Sequence, residues 1–377
     1  MHQKVTEPRL KAADFSVKES SVTAVSRVAM IAPGLDILGG QGVQAQALKN
    51  GLENEGIQVN FIAINPRFPT WLSWLRRIRF ARTLLNQILY FGTLSRLRNA
   101  DVLHLFSASY WSFQLAQVPA IFTARCLGVP VILNYHSGEA DDHLSRWGAS
   151  LHYWLSRVDL IVVPSEYLQQ VFMRHGYEAT VIPNVIDLKS FPFRRRTTFR
   201  PRLISTRNLE SLYRVEHTLE AFARIQAMYP DATLVVAGYG TQEKKLRRWV
   251  QQHQLSGVSF VGRVEPEDMP ALLDEADIFL NSSAIDNQPV SILEAFAMGL
   301  PVVSTPTGDI PYLVRVHETG LLVPHSDPDA MAQAVHWILE NPSTASALVD
   351  AAFRSLSRFT WPNVRQAWIR LYAVEVS

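Results

Sequence analysis

Asp286 and Glu294 stand eight residues apart in NSSAIDNQPVSILEAFAMGLPVVSTPTGD, residues 281–309. Asp286 falls in a polar loop, AIDNQP, behind a strand-like run, DIFLNSS. Glu294 falls in the early turns of a helix-like run, PVSILEAFAMG, just after Ser291. The start of a helix carries free N–H groups and partial positive charge, so it favours anionic groups of a ligand. A carboxylate in those turns can accept hydrogen bonds from hydroxyls, and one on the loop can reach a ligand in a cleft. Gly39, Gly40 and Gly42 lie between the strand-like RVAMIAPG and a second helix-like run. Lacking Cβ, glycine removes a steric bar to close approach of ligand and backbone. His136 ends a further strand-like run, VILNYH.

The elements that must position these groups alternate along the chain. Short runs rich in β-branched residues (RVAMIAPG, IQVNFIAI, DVLHLF, PVILNYH, LIVVPS and ATVIPN) are separated by helical patterns. That alternation indicates a parallel sheet covered on both faces. After Pro192 the texture turns basic, FRRRTTFRPR, and a second alternation begins. PRLIST, ATLVVAG, VSFVGRV, DIFLNSS, PVVSTP and TGLLVP read as its strands. A tryptophan-bearing helix, WPNVRQAWIRLYAVE, follows. The expectation is two consecutive doubly wound α/β halves, each binding ligands beyond the carboxyl ends of its strands. The division expected is an N-terminal extension over 1–25, domains over 26–192 and 193–359, and a final helix over 360–377.

Composition narrows the function classes. A chain of 377 residues suits roughly two domains. Its 47% hydrophobic and 19% charged content suits globular cores. A net charge of +2 argues against a bulk polyelectrolyte partner such as nucleic acid. The single cysteine, Cys126, cannot form an internal disulfide or the common zinc sites; its place in TARCLGVPV suggests a buried free thiol. No run approaches the ~20 apolar residues that span a bilayer, and the polar opening residues lack a signal-peptide pattern. A cytoplasmic location is expected. Two short motifs mislead: DEAD, 274–277, has no accompanying phosphate-binding GK[ST] loop, and DPD, 327–329, reads as a helix cap. His104 reads as structural. Residues 67–98 hold seven arginines and no acid, interleaved with Trp71, Trp74, Phe80, Tyr90 and Phe91. That composition suits peripheral contact with the anionic inner face of the cytoplasmic membrane. The opposing expectation is that the apolar residues pack on the first domain while the arginines face water.

Taken with its flanks, DNQPVSILEAFAMGLPVVSTPTGD resembles the donor-site motif of glycosyltransferase family 4, retaining enzymes of the GT-B fold. STRNLESLYRVEHTLEAFARIQAMYPDATLVVAGYG and VSFVGRV resemble further parts of the same half. GGQGVQAQALKNGLENEGIQV, VILNYHSGEA and VVPSEYLQQVFMRHGYEATVIPNVID fit the other half. The likeness spans about residues 27–372. It implies two facing Rossmann-like domains with a deep cleft, the first binding acceptor and the second donor, and a terminal helix crossing back to the first. It implies metal-independent transfer of a sugar, hexosyltransferase-like and with retention, from a nucleotide-diphosphate sugar. No cofactor is implied beyond that co-substrate.

By the same resemblance Glu294 would bind the donor ribose, and Asp286 would contact the transferred sugar. Arg207 would neutralise the departing diphosphate. Gly39, Gly40 and Gly42 would admit donor and acceptor, and His136 would sit beside the sugar. Ser291, Gly262, Arg263 and Ser283 are further contact candidates. Breaking the bond to the diphosphate leaves negative charge on phosphate and positive charge on the sugar ring, which fixed cations and helix starts are suited to stabilise.

The sequence departs from the family pattern at three places. Asp286 stands where a glutamate is usual, with Asn287 beside it to share the task. Arg214, next to Tyr213, stands near the usual lysine, offering a planar fork in place of a compact charge. Gly308-Asp309 replaces a glycine pair; aspartate tolerates the left-handed region better than most residues, and Asp309 is expected to point away from phosphate. An acceptor among lipid-linked glycans or glycolipids follows if the basic stretch meets lipid. A nucleotide-sugar epimerase of the same fold, and a non-catalytic nucleotide-sugar or lipid-binding protein, remain as alternatives.

Overall fold

The computed structural model describes residues 25–34, 39–66, 68 and 78–374. In the first half, β1 (Arg27–Ala32), β2 (Gln58–Ala63), β3 (Val102–Ser107), β4 (Val131–Tyr135), β5 (Leu160–Val163) and β6 (Thr180–Val181) form a parallel sheet in the order β2-β1-β3-β4-β5-β6. In the second, β7 (Arg202–Ser205), β8 (Thr233–Ala237), β9 (Val258–Gly262), β10 (Ile278–Asn281), β11 (Val302–Ser304) and β12 (Leu321–Leu322) form a second parallel sheet, β12-β11-β10-β7-β8-β9. Strand order reverses beside β1 in one sheet and between β7 and β10 in the other. Those are the places where a doubly wound sheet opens a crevice at its carboxyl edge.

The strands carry apolar residues on both sides because both faces are covered. Along β1, Ala29 and Ile31 join Leu105, Leu133 and Val163 in one core, while Val28 and Met30 join Phe106, Ile132 and Val162 in another. Val364, Trp368, Leu371 and Tyr372 complete this second core. They come from the helix Trp361–Val374, which crosses back from the second half to the first. His104 is fully buried there; its Nδ1 lies 2.7 Å from the Tyr372 hydroxyl and its Nε2 3.1 Å from Asn134 Nδ2. Burial, with His136 nearby, lowers its pKa to about 3, so it is a neutral structural group.

The basic segment after Pro192 ties the second half together. Arg196 is buried, donates to the carbonyls of Met298 (2.6 Å) and Ala276 (2.9 Å), and lies 3.4 Å from Asp277. Arg202 reaches the same carboxylate at 2.7 Å. The DEAD run is thus an anchor for arginines. Asp327 caps the helix Pro328–Glu340, accepting from Ala330 N at 2.9 Å, as its sequence context suggests.

Four features differ from the sequence reading or lay beyond it. Cys126 is exposed: its helix, Val118–Leu127, buries Ala120, Ile121 and Ala124, and position 126 falls off that face. The left-handed residue of the Gly308-Asp309 pair is Gly308, at φ +57°, while Asp309 has ordinary helical angles. The helix Pro342–Ser355, which buries Ala345, Leu348, Val349 and Ala352, was not singled out by periodicity. Last, only one face of the helix Arg79–Thr93 packs on the domain. Phe80 is 87% exposed, Leu84 65%, Ile88 60% and Phe91 53%, whereas Leu85 and Leu89 are half-buried and Tyr90 turns fully inward, donating to Ala116 O at 2.7 Å. Trp71 and Trp74 lie outside the described residues.

Candidate active site

Loops at the carboxyl ends of β1, β4, β7 and β10 converge between the two halves. Two cavities lie there, of about 170 and 250 Å³. Gly40, Arg207, Tyr213 and Val290 line both and form the neck between them. Gly39, Ser291, Glu294 and Arg263 face the smaller cavity; His136, Asp286 and Asn287 face the larger.

Two helix starts meet at this neck. The helix Gly40–Asn54 begins on one side and Val290–Ala297 on the other. A Cβ built at Gly39 would meet nothing within 4 Å, and one at Gly40 only Val290 Cγ2 at 3.8 Å. The absent side chains therefore leave open cleft, not room for the protein's own packing. Gly42 is buried in the first turn and faces a neighbouring cavity that also touches Glu294.

Arg207 follows β7 and is the centre of the site. It donates from Nη2 to Asp286 Oδ2 at 2.5 Å and from Nη1 to Ser291 Oγ at 3.0 Å, and its guanidinium lies 4.2 Å from the centre of the Tyr213 ring. Burial works against its charge, but Asp286, with Tyr213 and Glu294, more than offsets this and raises its pKa above the ordinary arginine value. Its Nε is buried without a partner among the described residues. Glu294 makes no side-chain hydrogen bond among those residues, and burial pushes its carboxyl up to about 7 against the pull of Arg207. An unsatisfied carboxyl and a cation sharing one small cavity suit a ligand that brings both hydroxyls and negative charge.

Asp286 is clamped from two sides. A Cβ at Gly138, in the first half, would lie 2.6 Å from the Asp286 carbonyl oxygen, and one at Gly308 would lie 2.2 Å from it. The following residues bind across the halves. Ser165 Oγ donates to Asn287 Oδ1 at 2.5 Å, and Asn184 N donates to Gln288 Oε1 at 2.8 Å. Gly138→Ala must therefore push this loop back. Since misplacing a reacting group by ~1 Å can cost about 100-fold, turnover should fall about 10- to 100-fold. Steady-state kinetics on protein whose melting temperature is unchanged will check this.

The remaining expected residues are placed as follows. His136 stacks on Phe106, and burial lowers its pKa to about 3, so it faces the larger cavity neutral. Arg263 lines the smaller cavity and lies 2.8 Å from Glu265. Gly262, at φ +72°, accepts from Gly238 N at 2.7 Å and shapes the turn before it. Arg214 does not enter either cavity; it is half exposed, 3.6 Å from Glu216, in a left-handed conformation. Tyr213, six positions after Arg207, lines both cavities in place of the expected Arg214. Ser283 is buried below the site, donating to Asn281 Oδ1 at 2.7 Å. Asp309 lies in a separate cavity, accepts from Gln288 Nε2 at 3.0 Å, and is pushed by burial to about 6.

Comparison with known proteins agrees with this architecture. The family model described as Glycosyltransferase Family 4 matches residues 38–190, and that described as Glycosyl transferases group 1 matches 191–355. Glycogen synthase of Mycobacterium tuberculosis is 31% identical over 288 residues, 72% of this chain and 68% of its own. Phosphatidyl-myo-inositol mannosyltransferase of Mycobacterium leprae is 25% identical over 285 residues, 72% of this chain and 73% of its own. Among solved structures, sucrose-phosphate synthase of Thermosynechococcus elongatus superposes with a TM-score of 0.73 at 20% identity, covering 92% of this chain and 98% of that one. Anabaena HepE in complex with UDP and glucose does so at 0.72 and 16%, covering 93% and 100%. The chain is a glycosyltransferase of family 4, built on the GT-B fold.

Proposed function

We propose that the protein transfers a hexosyl group, with retention of anomeric configuration, from a nucleotide-diphosphate sugar to a hydroxyl of its acceptor. The first sheet's domain, residues 26–192, would bind acceptor, and the second, 193–359, donor. One observation carries the reading: Arg207, Ser291, two helix starts and Glu294, which has no side-chain hydrogen bond among the described residues, surround one small cavity. The diphosphate fits against Arg207 and the helix starts, where charge developing on the leaving group meets fixed positive potential without a metal ion being required. Glu294 takes the ribose hydroxyls. The sugar lies through the neck, beside Asp286 and His136, with Asn287 holding the loop. That HepE, of the same fold, is held in complex with UDP and glucose supports a nucleotide-sugar donor.

The direct test is thermal: UDP, GDP, ADP and CMP, and their sugars, against purified protein. A ligand that binds only the folded state at 100 times its Kd stabilises by about 2.7 kcal/mol, a rise of several degrees. One nucleotide diphosphate should give it. Folded protein that responds to none of them refutes the donor site.

For the acceptor we favour a lipid-linked glycan or glycolipid at the cytoplasmic face of a membrane. The support is the exposed stripe Phe80, Leu84, Ile88, Phe91, set in a segment of seven arginines without an acid; the mannosyltransferase relative is named for a phosphatidylinositol acceptor. No described helix is long and apolar enough to cross a membrane. Each basic residue near an anionic surface contributes about 1 kcal/mol. Sedimentation with vesicles of phosphatidylglycerol and phosphatidylcholine should pull down the wild type at low salt. The Leu84→Asp, Ile88→Asp variant should bind at least about fivefold less, and equal binding would end the membrane reading.

A further inference from the structure

The larger cavity holds two acidic residues, and only Asp286 was expected. The other is Glu139, three residues beyond His136, at the start of the helix Ala140–Arg146. The two carboxylates differ in how they are already engaged. Asp286 spends Oδ2 on Arg207 and Oδ1 on the N–H of Asn287 at 3.0 Å. The Glu139 carboxylate accepts no hydrogen bond from any described residue, although its backbone N–H is held by Ser137 Oγ at 3.2 Å. Burial and then Asp142 push its pKa above the ordinary glutamate value. Its further neighbours are the phenols of Tyr110, Tyr135 and Tyr213. Of these, Tyr110 donates to Asp142, and the Tyr135 hydroxyl shares a hydrogen bond with Ser109 Oγ at 2.8 Å.

A half-buried carboxylate without donors is an incomplete group, since burying a charge is costly unless it is hydrogen-bonded. What completes it must donate hydrogen bonds and must not be anionic. Glu139 belongs to the first half, and Gly138 brings its loop hard against the Asp286 backbone. It therefore faces the transferred sugar from the acceptor side of the seam.

We propose that Glu139 selects the acceptor: its carboxylate accepts hydrogen bonds from hydroxyls beside the attacking one and favours acceptors uncharged at that end. This rests on the donor reading above, and the inferred substrate class is a neutral polyhydroxyl sugar terminus. A phosphate or carboxylate next to the attacking hydroxyl would meet Glu139 with like charge.

The test compares wild type with Glu139→Gln, which keeps the shape and removes the charge. The donor is whichever nucleotide sugar stabilises wild type most. The acceptor probes are a panel of neutral methyl hexosides, with glucose 6-phosphate as the anionic probe. Nucleotide affinity of the variant should stay within about twofold of wild type, while KM for the neutral acceptor rises at least about tenfold. Glucose 6-phosphate should gain at least about fivefold relative to the neutral probes. An unchanged acceptor KM overturns the inference, as does a parallel loss of nucleotide affinity. Nucleotide binding by wild type without transfer to any neutral hexoside overturns it while leaving the donor site standing. Absence of nucleotide binding overturns the donor reading as well.

Discussion

Arg207→Ala will lower kcat by about a thousandfold and will also weaken the fold. The kinetic loss follows from its place: among the described residues no other arginine donates to Ser291 and Asp286 at the neck of the cleft. Removing one well-placed donor to developing charge costs about 100- to 1,000-fold, and Arg207 brings a full charge besides. The structural loss has a separate origin. Arg207 and Asp286 expose only 11% and 10% of their side chains, so the pair is largely out of water. Deleting one partner of a buried pair costs about 3–5 kcal/mol, because the other charge is left uncompensated. The two effects separate in Arg207→Gln combined with Asp286→Asn. The double variant should recover most of the melting temperature that Arg207→Ala loses, yet stay as inactive. If the double variant is as unstable as the single one, the ion pair is not what holds the loop.

Glu294→Gln should kill nucleotide binding and stabilise the free protein, opposite signs from one substitution. Burial pushes the Glu294 carboxyl up to about 7. A carboxyl raised above its unfolded value binds more protons folded than unfolded. Its contribution is fully present below the unfolded pKa, ~4.3, and is lost as pH rises through about 7. At pH 8 the wild type therefore carries a strained carboxylate that glutamine does not. The variant should melt about 2–5 °C higher than wild type at pH 8, with the difference shrinking towards pH 5. Nucleotide diphosphate should no longer shift its melting temperature. Thermal scans at the two pH values, with and without nucleotide, decide both halves. A variant that is less stable at pH 8 would show that Glu294 is satisfied in the free protein.

Much of this was legible in the chain because the strands are local statements. RVAMIAPG and VILNYH place apolar residues on both faces, Val28 and Met30 on one side of the first and Ala29 and Ile31 on the other, which suits a sheet covered on both faces, and the crossovers between them leave few topologies. Asp286, Ser291 and Glu294 were readable for a similar reason: a loop and the helix directly behind it fix their relation within nine residues. What could not be read was anything set by distant packing. Cys126 sits in an apolar run, yet its side of the helix meets no partner. Tyr213 and Arg214 are adjacent, and which of them enters the cleft is decided by a left-handed turn at Arg214. Nothing in the sequence sets Glu139 apart within VILNYHSGEA; only the meeting of two domains makes it a wall of the site. The stripe on Arg79–Thr93 was readable as amphipathic, but only its exposure separates a surface for lipid from one for the core.

The helix Trp361–Val374 has a consequence for how the protein is made. It supplies Val364, Trp368, Leu371 and Tyr372 to the core beneath β1 and β3, and Tyr372 gives His104 one of its two hydrogen bonds. A ribosome delivers β1 to β6 long before it delivers this helix. The sheet first to emerge is thus the last to be finished, with one face roofed only in part, by Ala45, Leu48 and Leu52 of the helix Gly40–Asn54, while the second half is translated. During that interval the apolar side chains that the last helix meets lack part of their cover. Release of the C-terminal helix is then what closes the first domain.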